Sequence, residues 1–149
     1  MMKDSQYMSA KEKTTTLKAW QRFVKACATG TREQRWNAFT KGLYHHLMQH
    51  CAFIAHYDRG GFFATYFVEP ERTAHFFTQF DKRKGCKSVE YGCWHPWYTE
   101  DYEDINRAMC DVATPMVDAI YKRCRLAQET TDVARAKALL AKHGKALEV

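Results

Sequence analysis

Two histidines one turn apart, His46 and His50, are the first residues in this chain whose type and spacing could do chemistry. An i,i+4 pair on one helical face suits a single metal ion, and inward-facing histidines serve di-iron and related centres in helical bundles. Those bundles pair each histidine with an acid as Glu-x-x-His, and that pattern does not occur here. The sequence therefore names no metal site outright. His46 and His50 are the residues that would supply one, and the plainer reading of His50 is a hydrogen-bonded core or helix-interface histidine. Cys86, Cys93 and His95 bring three further ligands into one stretch, but six residues between the cysteines exceed the two to four of a zinc knuckle. A loop pinned by Trp94 and Trp97 accounts for them as well. Around Gly60-Gly61, the run His56-Tyr57-Asp58-Arg59 offers an imidazole, a phenol, a carboxylate and a guanidinium, the mixture that general acid–base catalysis uses. Polar residues at helix ends are also commonly there to cap. With no nucleophile elbow, glycine-rich phosphate loop or dinucleotide fingerprint, no catalytic residue and no cofactor is predicted. The enzyme or metal-protein alternative would rest on His46 and His50, joined by His56, Asp58 or His75.

Charge gives a stronger signal. The formal charge is +6, and residues 1–50 hold nine Lys/Arg against three Asp/Glu, whereas residues 51–100 balance six against six and residues 101–149 eight against eight. All of the excess is therefore N-terminal. Projected on a helix, Lys11, Lys18, Arg22 and Lys25 gather opposite an apolar stripe of Leu17, Trp20, Val24 and Cys27, and Arg32 and Arg35 follow at the start of the next helix. A face of this kind neutralises phosphates without reading sequence, and it also keeps helices soluble. No helix-turn-helix, aromatic stacking platform or zinc finger accompanies it. The expectation is a small basic binding protein acting through its surface on nucleic acid, a nucleic-acid-handling complex or an acidic protein surface. Small phage and mobile-element proteins that block larger machines share that general character. A structural subunit is a third possibility, signalled by an exposed aromatic patch around Trp94 and Trp97.

The elements that must position these residues read as all-α, a single-domain bundle of five or six helices spanning 1–149, with 1–8 frayed and one irregular loop or short hairpin at about 86–98. Ser9-Ala10-Lys11-Glu12 and Thr31-Arg32-Glu33-Gln34 both fit the capping box. They predict a helix from Ser9 to about Ala28, ended by a left-handed Gly30, and a second from Arg32 to about Tyr57. Gly42, inside the second helix, suggests that another backbone passes close by. Asp58-Arg59-Gly60-Gly61 reads as a break. Residues 62–68 fit a buried strand or two helical turns, and the i,i+4 pairs Phe62/Tyr66 and Phe63/Phe67 favour helix. Pro70 opens a short helix with Phe76, Phe77 and Phe80 inside. A long helix runs from Thr99 to about Gln128, with Ile105, Met109, Val112, Met116 and Ile120 inward. Asp104–Arg107 and Asp118–Lys122 pairs support it, and it kinks or restarts at Pro115 behind a Thr114 cap. A last helix spans Asp132 to His143, capped by Thr131 and ended by Gly144.

At 149 residues, with 46% apolar, 27% charged and 14% aromatic residues, the chain can bury a large aromatic core. It has no signal-like apolar start and no spanning stretch, which together with spread, unpaired cysteines predicts a cytoplasmic protein with reduced thiols.

Overall fold

The capping residues set where the chain turns. In the computed structural model, which describes residues 2–50, 58–86 and 100–144 (for 48–50 the backbone alone), Ser9 Oγ accepts from Glu12 N at 3.1 Å and opens α1, Ala10–Thr29. Asp4 adds a second acceptor for Ala10 N at 2.7 Å. The Thr31–Gln34 capping box is complete, with both reciprocal bonds made, and opens α2, Arg32–Ala38. α3 is Tyr44–His50, α4 Arg59–Phe63, α5 Pro70–Thr78, α6 Glu103–Ala113 and α7 Val117–His143. No strand occurs among the described residues, so the fold is all-α.

The core is made of stacked and tilted rings. Trp20 is fully buried and lies 4.7 Å from Phe80 and 5.8 Å from Phe77, centroid to centroid, while its Nε1 donates to Met109 O at 2.9 Å. Satisfying the indole N–H is what lets so large a ring sit at the centre. Phe23 meets Phe67 edge-on at 4.7 Å, and Phe39 stacks on Phe62 at 5.7 Å. α1, the turn after α2, α4 and α5 thus share one aromatic cluster, closed by α6 through Ile105, Met109 and Cys110.

Several expectations change. Residues 62–68 are helical, passing from α4 into a π-turn at Ala64–Val68, and both aromatic pairs form, Phe62–Tyr66 at 4.7 Å and Phe63–Phe67 at 6.0 Å. The second helix is not continuous. It breaks at a π-turn, Phe39–Leu43, where Lys41 (φ −90°, ψ 69°) and Gly42 (φ 107°, ψ −38°) leave helical geometry. Gly42 is required by its positive φ rather than by a passing backbone, since a Cβ there would meet only the Ala19 Cβ at 3.9 Å. Gly30 does the reverse. Its backbone is extended, not left-handed (φ −91°, ψ 168°), and a Cβ would fall 2.8 Å from Ala26 O. Asp58-Arg59-Gly60-Gly61 starts a helix instead of breaking one, because Asp58 Oδ1 accepts from Gly61 N.

Residues 2–8 are pinned, not frayed: Met8 is buried, Lys3 N donates to Asp104 Oδ2 at 2.9 Å, and Lys13 Nζ donates to Lys3 O at 2.8 Å. Pro115 is accommodated by a 3₁₀ turn, Thr114–Met116, between α6 and α7. Thr114 does not cap α7. Its hydroxyl donates back to Cys110 O at 2.7 Å and accepts from Lys82 N at 3.0 Å. The predicted ion pairs are replaced by Arg107–Glu103 (2.6 Å), Lys13–Asp104 (2.9 Å) and Arg83–Asp118 (2.8 Å). α7 also runs through Thr131 without a break, because that hydroxyl bonds Ala127 O one turn back. Gly144 is right-handed (φ −48°). Thr99 and the irregular segment expected at 86–98 lie outside the described residues, apart from Cys86, which adopts a left-handed φ of 46°.

Candidate nucleic-acid interface

The outer side of α1 follows from what its inner side must do. Thr16, Ala19, Trp20, Phe23, Val24 and Cys27 are buried against α6 and the aromatic cluster, which turns Lys11, Lys18, Arg22 and Lys25 to solvent. At 1.5 Å per residue, the line from Lys11 to Lys25 is about 21 Å long. Arg32, in the first turn of α2, is exposed as well. Among the described residues, none of these five cations pairs with a carboxylate, whereas Lys13, Arg72, Lys82, Arg83 and Arg107 all do. Beside the line, a depression of about 420 Å³ is lined by Arg22, Lys25, Ala26, Thr29, Gly30, Gln34 and Ala38. It lies where the α1–α2 turn brings the two helices together.

Arg35 does not join them. It is half-buried and donates to Gly30 O at 3.4 Å, beside Arg123, which donates to Ala26 O and Cys27 O at 3.3 Å and also to Gly30 O. The two guanidiniums satisfy the carbonyl end of α1 and enclose a cavity of about 70 Å³ with Cys27 and Cys124. Burial first, and then the Arg123 charge, hold the Arg35 pKa below its ordinary value. Burial likewise pushes both thiols up, so Cys27 and Cys124 stay protonated and are poor nucleophiles or ligands.

The histidine and cysteine readings are only partly placed. His45 and His75 are exposed and His46 is half-buried, while the side chains of His50, His56, Cys93 and His95 lie outside the described residues, with Trp94 and Trp97. Among the described residues, no group of three or more His, Cys, Asp or Glu is set to hold a metal ion. Asp58 is taken up by capping α4.

One polar cluster was not legible in the sequence. Asp81, fully buried, accepts from Arg83 N (3.0 Å), Arg83 Nε (3.1 Å) and Tyr121 OH (3.2 Å), and Arg83 forks onward to both oxygens of Asp118 on α7. Burial raises the Asp81 carboxyl, but the Arg83 and Tyr121 hydrogen bonds outweigh it and leave it below the usual carboxylate range. Burial and the Asp81 charge push the Tyr121 phenol up. This cluster clamps the exit of α5 to α7. Among the described residues, no helix is long and apolar enough to cross a membrane. In comparisons with protein-family models, with curated proteins and with solved structures, the chain matches none.

Proposed function

We propose that this protein binds nucleic acid through the outer face of its first helical hairpin, with Lys11, Lys18, Arg22, Lys25 and Arg32 contacting backbone phosphates. The observation that carries the reading is that these five cations stand exposed with no carboxylate partner among the described residues, four of them in line along one face of α1, within residues 1–50, where the whole of the +6 net charge arises. A straight line of side-chain charges about 21 Å long follows a phosphate backbone and offers no base-reading element, so the binding is electrostatic and tolerant of sequence. The depression beside Arg22 and Lys25 gives the phosphates a place to approach the helix closely.

The test is the affinity of the full chain for a labelled random-sequence duplex, measured by fluorescence anisotropy across salt concentrations. With four to five phosphates neutralised, log K should fall against log salt with a slope of about −4. Lys18→Glu, Arg22→Glu and Lys25→Glu combined should cost about a hundredfold at low salt and leave the circular dichroism unchanged, since all three side chains are exposed. Affinity indifferent to both salt and charge reversal would sink the reading. Tighter binding to an acidic polypeptide than to the duplex would move it to an acidic protein surface.

A further inference from the structure

α7 begins as a core helix and ends as something else. Val117 and Ile120 are buried, and its first half packs on α5 and α1, but every residue from 132 to 143 is exposed. Those twelve exposed residues extend for about 18 Å, and an exposed helical extension of that length draws little stability from packing. Its sequence nevertheless keeps an apolar stripe. Leu126 (51% exposed), Val133 (53%) and Leu140 (47%) recur at seven-residue spacing on the side opposite the one that packs on the body. Ala127, Ala134 and Ala141 run beside them at the same spacing, small enough to let a second helix come close. An apolar residue once per heptad fills one of the two positions that line the seam of a helix pair, the other here being held by Glu129, Ala136 and His143.

We propose that this stripe pairs with the same stripe of a second copy of the chain, antiparallel and centred on Val133. The sequence is self-complementary about that residue. In this register Leu126 faces the partner copy's residue 140, a leucine, Val133 faces its own counterpart, and Glu129 faces residue 137, a lysine. The layers therefore run Leu–Leu, Glu–Lys, Val–Val, Lys–Glu, Leu–Leu. A parallel pairing would instead set Glu129 against Glu129 and Lys137 against Lys137, and like charges within the seam select against it. Leu139, 57% exposed, lies about 100° around the helix from Leu140 and flanks the stripe instead of continuing it. With only five layers, the association is on the order of micromolar, well short of a permanent dimer.

Sedimentation equilibrium of the full chain over a wide concentration range reads this directly. The mass should rise from 17.4 kDa to twice that value and no further. Val133→Asp should hold it at the monomer, with circular dichroism at high dilution as for the parent chain. Glu129→Lys or Lys137→Glu alone should each weaken the dimer by about tenfold or more, and the two together should restore it, because Glu129 and Lys137 are too far apart on one helix to pair within it. A monomer at every concentration, a dimer that survives Val133→Asp, or a double exchange that fails to restore association would each overturn the proposal. So would a chain that stays monomeric and uses the stripe to hold a different protein.

Discussion

Asp81 and Lys13 show how much of this fold rests on single charges placed inside it. Asp81 is wholly buried and Lys13 is 2% exposed, and each is matched by a partner from a distant part of the chain. For Asp81 and Asp104, hydrogen bonds outweigh the raising effect of burial and hold the folded carboxyl below its usual range. A depressed folded pKa means that the stabilisation is complete above the unfolded value, about 3.9, and is lost as pH falls through the lower folded value. Urea unfolding from pH 7 to pH 2 should therefore show an acid limb that begins near pH 4. Asp81→Asn should cost about 2 kcal/mol at neutral pH and flatten that limb, and a variant whose limb stays as steep as the parent's would contradict the assignment. Lys13 was within reach of a sequence reading, since it falls in phase with Trp20 and Cys27 on the apolar side of α1. Its partner Asp104 was not, because nothing local marks which carboxylate will arrive there. Asp81 reads as an ordinary turn residue until Tyr121 and Asp118 are brought over it.

At the level of elements, local chemistry was legible wherever it was decided locally. Both N-caps of the first hairpin, Pro70 at the start of α5 and the inward Phe76, Phe77 and Phe80 follow from short-range spacing. The break in the second helix did not show, because Phe39, Leu43 and Leu47 remain buried on either side of the π-turn and so keep a helical rhythm through it. The uninterrupted α7 was missed for the opposite reason. Thr131 looks like a cap, but a threonine hydroxyl can equally bond the carbonyl one turn back. Two glycines test the local backbone experimentally, Gly42 in the break and Gly60 in α4. Gly42→Ala must force a Cβ into φ 107° and should cost about 1–3 kcal/mol. Gly60→Ala, within α4 and with only Asp58 Oδ1 at 3.9 Å, should stabilise by about 0.5–1 kcal/mol. Opposite shifts in the urea midpoint are expected, and shifts of the same sign would mean that the two backbones are not as described.

For the whole molecule, the two proposals place unlike surfaces on different helices: cations along α1, and an apolar seam on the outer half of α7. If both hold, each dimer carries two basic faces, and binding becomes bivalent on any nucleic acid long enough to meet both. On such a duplex Val133→Asp should lose about tenfold or more in affinity at fixed salt, whereas on a duplex of about ten base pairs the variant and the parent chain should match. No loss on either length would separate the seam from binding, and equal losses on both would show that the seam acts other than through bivalency. The outer half of α7 also has a consequence for how such a protein can change. Because residues 132–143 are all exposed, the helix can gain or lose turns there without disturbing the aromatic centre, each turn shifting the seam by 5.4 Å. Insertions and deletions, which inside α1 or α5 would throw the aromatic core out of register, would there adjust the span between two bound faces, so that its reach is heritable separately from its fold.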